Sequence, residues 1–179
     1  VRPTSGSDDI ILVTAEGQAI RFAEHDVRPM GRQAGGVIGI RLDDGDFVVA
    51  AEVVRPGADL LLVSRAGYGK RTALDEFRTQ GRGGSGVIAM RVTPRTGHVA
   101  AATVAREEDT AVLVSRRGRL ILIPVRQIPK QGRSTQGVSL MRLQEGDEIA
   151  SIAVGLLSET LSTDGVETKA SHGNGFEQA

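Results

Sequence analysis

Two glycine-rich strings of the sequence have spacings close to those of loops that bind nucleotide phosphates. Residues 81–86 (GRGGSG) match G-x-G-x-x-G, but the dinucleotide-binding fingerprint requires a helix after the loop, and residues 87–92 have the pattern of a strand. The string YGKRT at 68–72 fails the P-loop pattern, because Ser64 and Arg71 stand where that pattern requires glycine and a hydroxyl residue. Neither string predicts a nucleotide-binding site.

Other residues with catalytic potential are isolated from one another. The string DDGD at 43–46 has the composition of a hairpin turn. His25, His98 and His172 lack the spacing of metal ligands, and Tyr68 has no activating base or metal-binding residue nearby in sequence. Cysteine is absent, which excludes disulfides, thiolate metal sites and cysteine nucleophiles. The sequence therefore predicts no catalytic residue and no metal site in this chain.

One basic motif, Gly-Arg-x-x-x-Gly-Val, occurs three times and places Arg32, Arg82 and Arg133 in glycine-rich loops. Such a turn lets backbone N–H groups and a guanidinium approach one phosphate closely. Further basic residues that accompany these loops are Lys70, Arg71, Arg78, Arg116, Arg117, Arg119 and Lys130. We expect this set to contact the phosphates of duplex DNA bent around the molecule, with no reading of bases.

A second interpretation of the recurring arginines stays open. The glycines would then only satisfy backbone geometry, and the arginines would pair with acids of a neighbouring repeat. Another recurring set is Arg41, Arg91 and Arg142, which are flanked by apolar residues in predicted strands and point away from those neighbours. For this set we expect ion pairs between repeats.

The motif recurs because the whole chain is repetitive. Gly17, Gly67 and Gly118 are 50 and 51 residues apart, and the arginines of the loop motif have the same spacing. In each copy, two apolar runs around the first glycine predict a hairpin, and two later runs, 37–42 and 47–54 in the first copy, predict a second hairpin. Four-stranded units at this period are typical of propeller blades. The sequence predicts an all-β, propeller-like fold of three four-stranded blades.

Three blades leave open edges, whereas propellers close with roughly four to eight. We therefore expect further blades N-terminal to Val1, with this chain as one half of a larger ring. A β-sandwich is the alternative all-β fold, but it would not require the same glycine and arginine columns to recur.

Sequence composition also predicts how the chain is divided. We expect residues 1–8 to be disordered or a linker, the blades to span about 9–57, 58–107 and 108–155, and residues 156–179 to form a flexible acidic tail. The net charge is zero, yet residues 1–155 hold 21 Lys+Arg against 18 Asp+Glu, and the tail holds 1 against 4. We expect the tail to compete with DNA for the basic surface, so that its deletion strengthens DNA binding at low salt.

The overall composition is that of a folded domain. Hydrophobic residues make up 40% and charged residues 25%, while aromatic residues contribute only 3%, so the core must be aliphatic. No run of 18 apolar residues occurs, and we expect no membrane-spanning segment. The absence of cysteine fits a reducing compartment.

Four strings carry a resemblance to a known family. They are AEGQAIRF at 15–22, GGVIGIRLDDGD at 35–46, GYGKRTA at 67–73 and GRSTQGVSLMRL at 132–143. In order and spacing they are similar to the C-terminal, DNA-wrapping domain of the DNA gyrase A subunit, a component of a type IIA topoisomerase, and GYGKRT is the most specific of them. The resemblance covers roughly residues 9–155. It implies a β-pinwheel, a six-bladed ring whose blades exchange strands, of which this chain is about the last three blades.

The resemblance also implies a function. Such a domain wraps double-stranded DNA around its basic perimeter and contributes to ATP-dependent negative supercoiling, with Arg32, Lys70, Arg71, Arg82 and Arg133 as perimeter contacts. Implied partners are the gyrase B subunit and a second gyrase A subunit, in the cytoplasm at the nucleoid. No cofactor is implied for this chain, since ATP, Mg²⁺ and the DNA-cleaving tyrosine belong to other domains or subunits. Two alternatives stay open: the C-terminal domain of the topoisomerase IV A subunit, and a propeller that binds proteins instead of DNA.

Overall fold

The structure, a computed structural model, describes residues 1–156 as eleven β-strands and three single-turn 3₁₀ helices. The strands of the first repeat are β1 (Asp9–Thr14), β2 (Gln18–Ala23) and β3 (Val48–Val53). Those of the second repeat are β4 (Asp59–Ser64), β5 (Tyr68–Ala73), β6 (Val87–Ile88) and β7 (Val99–Ala105). Those of the third are β8 (Thr110–Ser115), β9 (Leu120–Pro124), β10 (Val138–Ser139) and β11 (Ile149–Gly155). The 3₁₀ helices, Glu24–Asp26, Leu74–Glu76 and Val125–Gln127, each follow the second strand of a repeat.

These strands form three antiparallel sheets, one for each repeat. The strand orders are β3-β1-β2-β6, β10-β5-β4-β7 and β11-β8-β9. In every sheet the first two strands of a repeat form a hairpin, and the last strand of that repeat pairs with the other side of the first strand. The predicted all-β, propeller-like class is confirmed, with four strands in two sheets and three in the third among the described residues.

The second hairpin predicted for each repeat is wrong, and in the second and third repeats its first segment joins the preceding sheet. Strand β6 pairs with β2 of the first repeat, and β10 pairs with β5 of the second. The glycine before each of these strands makes this possible. Gly86 has φ +75°, and a Cβ on it would lie 2.4 Å from the carbonyl oxygen of Ala19. The corresponding segment of the first repeat, residues 37–42, forms no strand in the described part of the chain, and Ile38 there is 69% exposed.

Two largely aliphatic clusters hold the sheets together, one between the first and second sheets and one between the second and third. The middle sheet is covered on both faces, so all six residues of β4 are buried and its sequence, DLLLVS, is a nearly continuous apolar run. By contrast, Leu120 and Leu122 on β9 are 54% and 50% exposed, because β9 has a neighbour on only one side among residues 1–156.

The sequence predicted that the segments before β1 and after β11 lie outside the blades. Residues 1–8 form no helix or strand, although the Arg2 guanidinium contacts the Glu52 carboxylate at 2.6 Å. Of the predicted tail at 156–179, all but residue 156 lies outside the described residues, and so does its predicted competition with DNA. Within residues 1–156 there is no helix of the length and apolarity needed to cross a membrane.

Candidate nucleic-acid interface

The loops of the second and third repeats lie across the edge of the preceding sheet. Each begins after a 3₁₀ helix, and its chain is held by a backbone hydrogen bond to the middle of the preceding repeat's second strand. The N–H of Gln80 donates to the Arg21 carbonyl at 2.8 Å, and the N–H of Gln131 donates to the Arg71 carbonyl at 2.8 Å. The loop motif is therefore part of a junction between two repeats.

The loop arginines at these junctions bind carbonyls and not carboxylates. Arg82 donates through Nε to the Asp26 carbonyl at 2.9 Å and through a terminal nitrogen to the Ile38 carbonyl at 3.1 Å. Arg133 donates at 3.1 Å to the carbonyl of Ile88, which is the counterpart of Ile38 in the second repeat. No described carboxylate forms an ion pair with either guanidinium. The charge of both side chains is therefore held in place without being neutralised, which is what a phosphate-binding group requires.

The expected ion pairs of Arg41, Arg91 and Arg142 are not found. All three residues are exposed, and none of their side chains forms an ion pair or hydrogen bond with another described residue. Their neighbours Ile40 and Met90 are buried, so the alternation of the segment turns the arginines to solvent. Sequence reasoning did not include these three arginines among the interface candidates. The signal that could have found them is the alternation itself, since an arginine flanked by apolar residues points to the opposite side of the segment.

Backbone hydrogen bonds place two of these arginines beside the loops. The N–H of Arg41 donates to the Gly84 carbonyl at 2.8 Å, and the N–H of Arg91 donates to the Thr135 carbonyl at 3.0 Å. Each junction therefore carries two arginines with charges that no described carboxylate neutralises. We call these the junction arginine pairs, Arg41 with Arg82 and Arg91 with Arg133.

Lys70 and Arg71 do not lie on the perimeter where the sequence placed them. Lys70 is 0% exposed, and its ammonium binds carbonyls of the third loop. Arg71 is also buried: it donates to the Ile128 carbonyl at 2.8 Å, to Asp59 at 3.1 Å and to Glu107. The hydrogen bond and the charge of Arg71 hold the pKa of Glu107 below its usual range. Both residues face the neighbouring repeat because their strand is covered by it, a fact that the sequence of β5 alone does not reveal.

The other candidate residues are exposed to different degrees and have different partners. The Lys130 ammonium lies 2.8 Å from Asp59, and the Arg116 guanidinium lies 3.6 Å from Glu148, so both charges are partly offset. Arg119 donates to the Arg142 carbonyl at 2.8 Å and forms no ion pair in the described part. The three remaining candidates, Arg32, Arg78 and Arg117, are exposed. In the described residues, no three His, Asp or Glu side chains are placed to hold a metal ion.

Lys70 is expected to titrate far below an ordinary lysine. Burial lowers its pKa from 10.5 to about 8, opposed by the negative charge of Glu76 and aided by the positive charge of Arg133. Between about pH 8 and 10.5 the folded chain has lost this proton while the unfolded chain still binds it. The free energy of unfolding therefore rises with pH in this range. An NMR titration of the Lys70 side chain should show a midpoint near pH 8, and Lys70→Met should remove that part of the pH dependence of unfolding. A midpoint above pH 10 would contradict the burial.

Comparison with known proteins identifies the family. A family described as "DNA gyrase C-terminal domain, beta-propeller" matches residues 8–55, 58–106 and 109–155. A DNA gyrase A subunit of Aminobacterium colombiense is 47% identical over 151 residues, which are 84% of this chain and 18% of that protein. One of Mycobacterium tuberculosis is 42% identical over 151 residues, 83% of this chain and 18% of that protein.

Solved structures agree with this assignment. A DNA gyrase A C-terminal domain superposes with a TM-score of 0.79 at 29% identity, over 83% of this chain and 51% of that one. A C-terminal domain of DNA topoisomerase IV superposes with a TM-score of 0.80 at 27% identity, over 84% of this chain and 47% of that one. The chain thus spans less than a fifth of the curated relatives named above and about half of these domains. With three matched repeats and this agreement in fold, the chain belongs to the DNA gyrase C-terminal domain family.

Proposed function

We propose that this chain binds duplex DNA along the perimeter formed by its repeat junctions and holds that DNA in a bent path. The observation that carries the proposal is the repeated pair of arginines at each junction, none of them buried, whose charges no described carboxylate neutralises. Membership of the gyrase family supports it.

The geometry suits phosphates better than bases. The guanidinium groups of Arg82 and Arg133 are anchored on carbonyls, so less side-chain entropy is lost when they meet a phosphate. The pairs recur with the repeat, so a duplex that follows the perimeter meets two cations at each junction. Contacts of this kind carry no sequence information and favour DNA that bends easily. Among the predicted contacts, we retain Arg32, Arg78, Arg82, Arg116, Arg117, Arg119, Lys130 and Arg133 and add Arg41, Arg91 and Arg142.

In the larger protein, this segment would contribute to ATP-dependent negative supercoiling by holding one DNA segment near the cleavage site. The gyrase B subunit, a second gyrase A subunit, ATP and Mg²⁺ belong to that assembly and not to residues of this chain. We place the assembly in the cytoplasm, on nucleoid DNA. The relatives named above are gyrase subunits, which favours gyrase over topoisomerase IV.

The salt dependence of DNA binding tests the proposal. The logarithm of the association constant should fall linearly with the logarithm of salt concentration, and the four junction arginines alone should contribute a slope of about −3.6. Fluorescence anisotropy of a labelled duplex at several salt concentrations provides the slope. A duplex of shuffled sequence with the same content of flexible base steps should bind equally well. Weak binding with no salt dependence would reject the proposal in favour of a propeller that binds proteins.

A further inference from the structure

The third loop is held by a buried charge from the repeat before it. Lys70, in the middle of β5, donates from Nζ to the Gly132 carbonyl at 2.6 Å, the Arg133 carbonyl at 2.7 Å and the Thr135 hydroxyl at 3.1 Å. All three acceptors belong to one turn of the loop that carries Arg133. An ammonium has three donors, and here each one has an acceptor in the same loop.

The equivalent position at the other junction has a different chemistry. Ile20 occupies the place of Lys70 in β2, and it is fully buried under the second loop. A Cβ on Gly84, the counterpart of Thr135, would lie 3.5 Å from the Ile20 side chain. The second loop is held instead by its backbone, since the N–H of Gly83 donates to the Gly39 carbonyl at 2.7 Å. The first junction thus pairs isoleucine with glycine, and the second pairs lysine with threonine.

Arg133 is consequently fixed at three points. Its carbonyl accepts from Lys70, its N–H donates to a Glu76 carboxylate oxygen at 3.2 Å, and its guanidinium donates to the Ile88 carbonyl at 3.1 Å. The Thr135 hydroxyl also contacts the Gln131 side chain at 2.9 Å, which extends the same network to the start of the loop. Removing the ammonium would therefore free the turn that sets the direction of Arg133.

We propose that Lys70 is a buried positioning residue that fixes the third loop, and with it the Arg91–Arg133 pair, for DNA binding, whereas the second loop has no such dependence. This inference rests on the proposed function. Burial of an ammonium is unfavourable unless it is fully hydrogen-bonded, so the side chain is compatible with the fold only when the loop is closed over it. The charged groups facing it are Glu76 and Arg133.

The test uses two methionine variants of the 179-residue chain, Lys70→Met and Ile20→Met, which alter equivalent positions at the two junctions. Hydrogen exchange reports each loop separately. In Lys70→Met, the amides of Gln131, Arg133 and Thr135 should exchange about tenfold faster, while the amide of Gly83 in the second loop keeps its rate. Ile20→Met should leave the three third-loop amides unchanged. Wild-type exchange rates at 131–135 in Lys70→Met would overturn the proposal, as would equal loosening of both loops.

A third variant tests whether DNA binding is lost because the third loop is misplaced or because the fold is destabilised in general. Lys70→Ile combined with Thr135→Gly gives the second junction the chemistry of the first, and it should recover DNA affinity and slow exchange relative to Lys70→Met.

DNA affinity of Lys70→Met should fall severalfold, with the salt slope reduced by about 1 to 2 as the Arg91–Arg133 pair loses its alignment. If wild-type protein fails to bind DNA, the proposed function is wrong, while the exchange rates still decide the role of Lys70. Unchanged DNA affinity in Lys70→Met, with fast loop exchange, would overturn its role in binding.

Discussion

Substitution of Gly67 by alanine should destabilise the folded chain by more than about 3 kcal/mol. Gly67 has φ +81°, and a Cβ there would lie 2.2 Å from the carbonyl oxygen of Met141 in the next repeat. The left-handed backbone alone costs about 1 to 2 kcal/mol for a residue other than glycine. The clash adds a larger amount, because the obstructing atom belongs to the backbone of the adjacent repeat and cannot move without separating the two.

Gly118 provides the matched control. It occupies the same position in the third repeat with φ +80°, and nothing lies within 4 Å of a Cβ placed on it. Gly118→Ala should therefore cost only the backbone term of about 1 to 2 kcal/mol. Urea unfolding of both variants and the wild type measures the difference. Equal losses of stability would show that the repeats do not approach each other as closely as this structure indicates.

Replacing the four junction arginines by glutamine, as R41Q/R82Q/R91Q/R133Q, should lower the affinity for duplex DNA by more than about tenfold at low salt. Four cations that release counterions from phosphates are then lost, and the salt slope should decrease by about 3.6. Glutamine retains a donor for the carbonyls that Arg82 and Arg133 contact, so the fold should persist. Fluorescence anisotropy measures the affinity, and circular dichroism checks the fold.

A charge-matched comparison separates local contact from net charge. The double variant R91Q/R133Q removes one junction pair, and R2Q/R106Q removes two arginines that already contact Glu52 and Glu108. The first should weaken DNA binding clearly and the second only slightly. If both double variants lost affinity equally, overall charge and not the junctions would account for binding.

The repeats, the all-β class and the glycine columns could be predicted because each depends on local sequence. The hairpin around Gly17 needs only two apolar runs and a residue free to adopt positive φ, here +80°. The transfer of β6 to the preceding sheet could not be predicted from its residues alone, because Val87–Ile88 is compatible with any strand neighbour. Its place is determined by the turn at Gly86 and by contact with another repeat.

The exposure of the basic side chains could be predicted only in part, because it depends on contacts with another repeat, while their contact with DNA stays a prediction. A basic side chain in a strand can face solvent or a neighbouring repeat, and its own sequence does not decide between them. Lys70 is buried although a charged side chain suggests exposure. Arg41 is exposed although its apolar neighbours suggested an ion pair between repeats. For Arg82, the predicted pairing with acids of a neighbouring repeat is wrong within the described residues, since its guanidinium contacts backbone carbonyls of that repeat instead. Its contact with DNA stays a prediction.

The end-to-end distance of bound duplex DNA tests the central claim most directly. A duplex of about 40 base pairs, labelled with a donor and an acceptor fluorophore at its two ends, is much shorter than the persistence length and is nearly straight when free. Binding of the wild-type chain should increase energy transfer, because phosphates that follow successive junction pairs bend the duplex. The quadruple variant, at concentrations that give equal occupancy, should increase it far less. A bound duplex that stays straight, or that bends equally on the quadruple variant, would contradict DNA binding along the junction arginines.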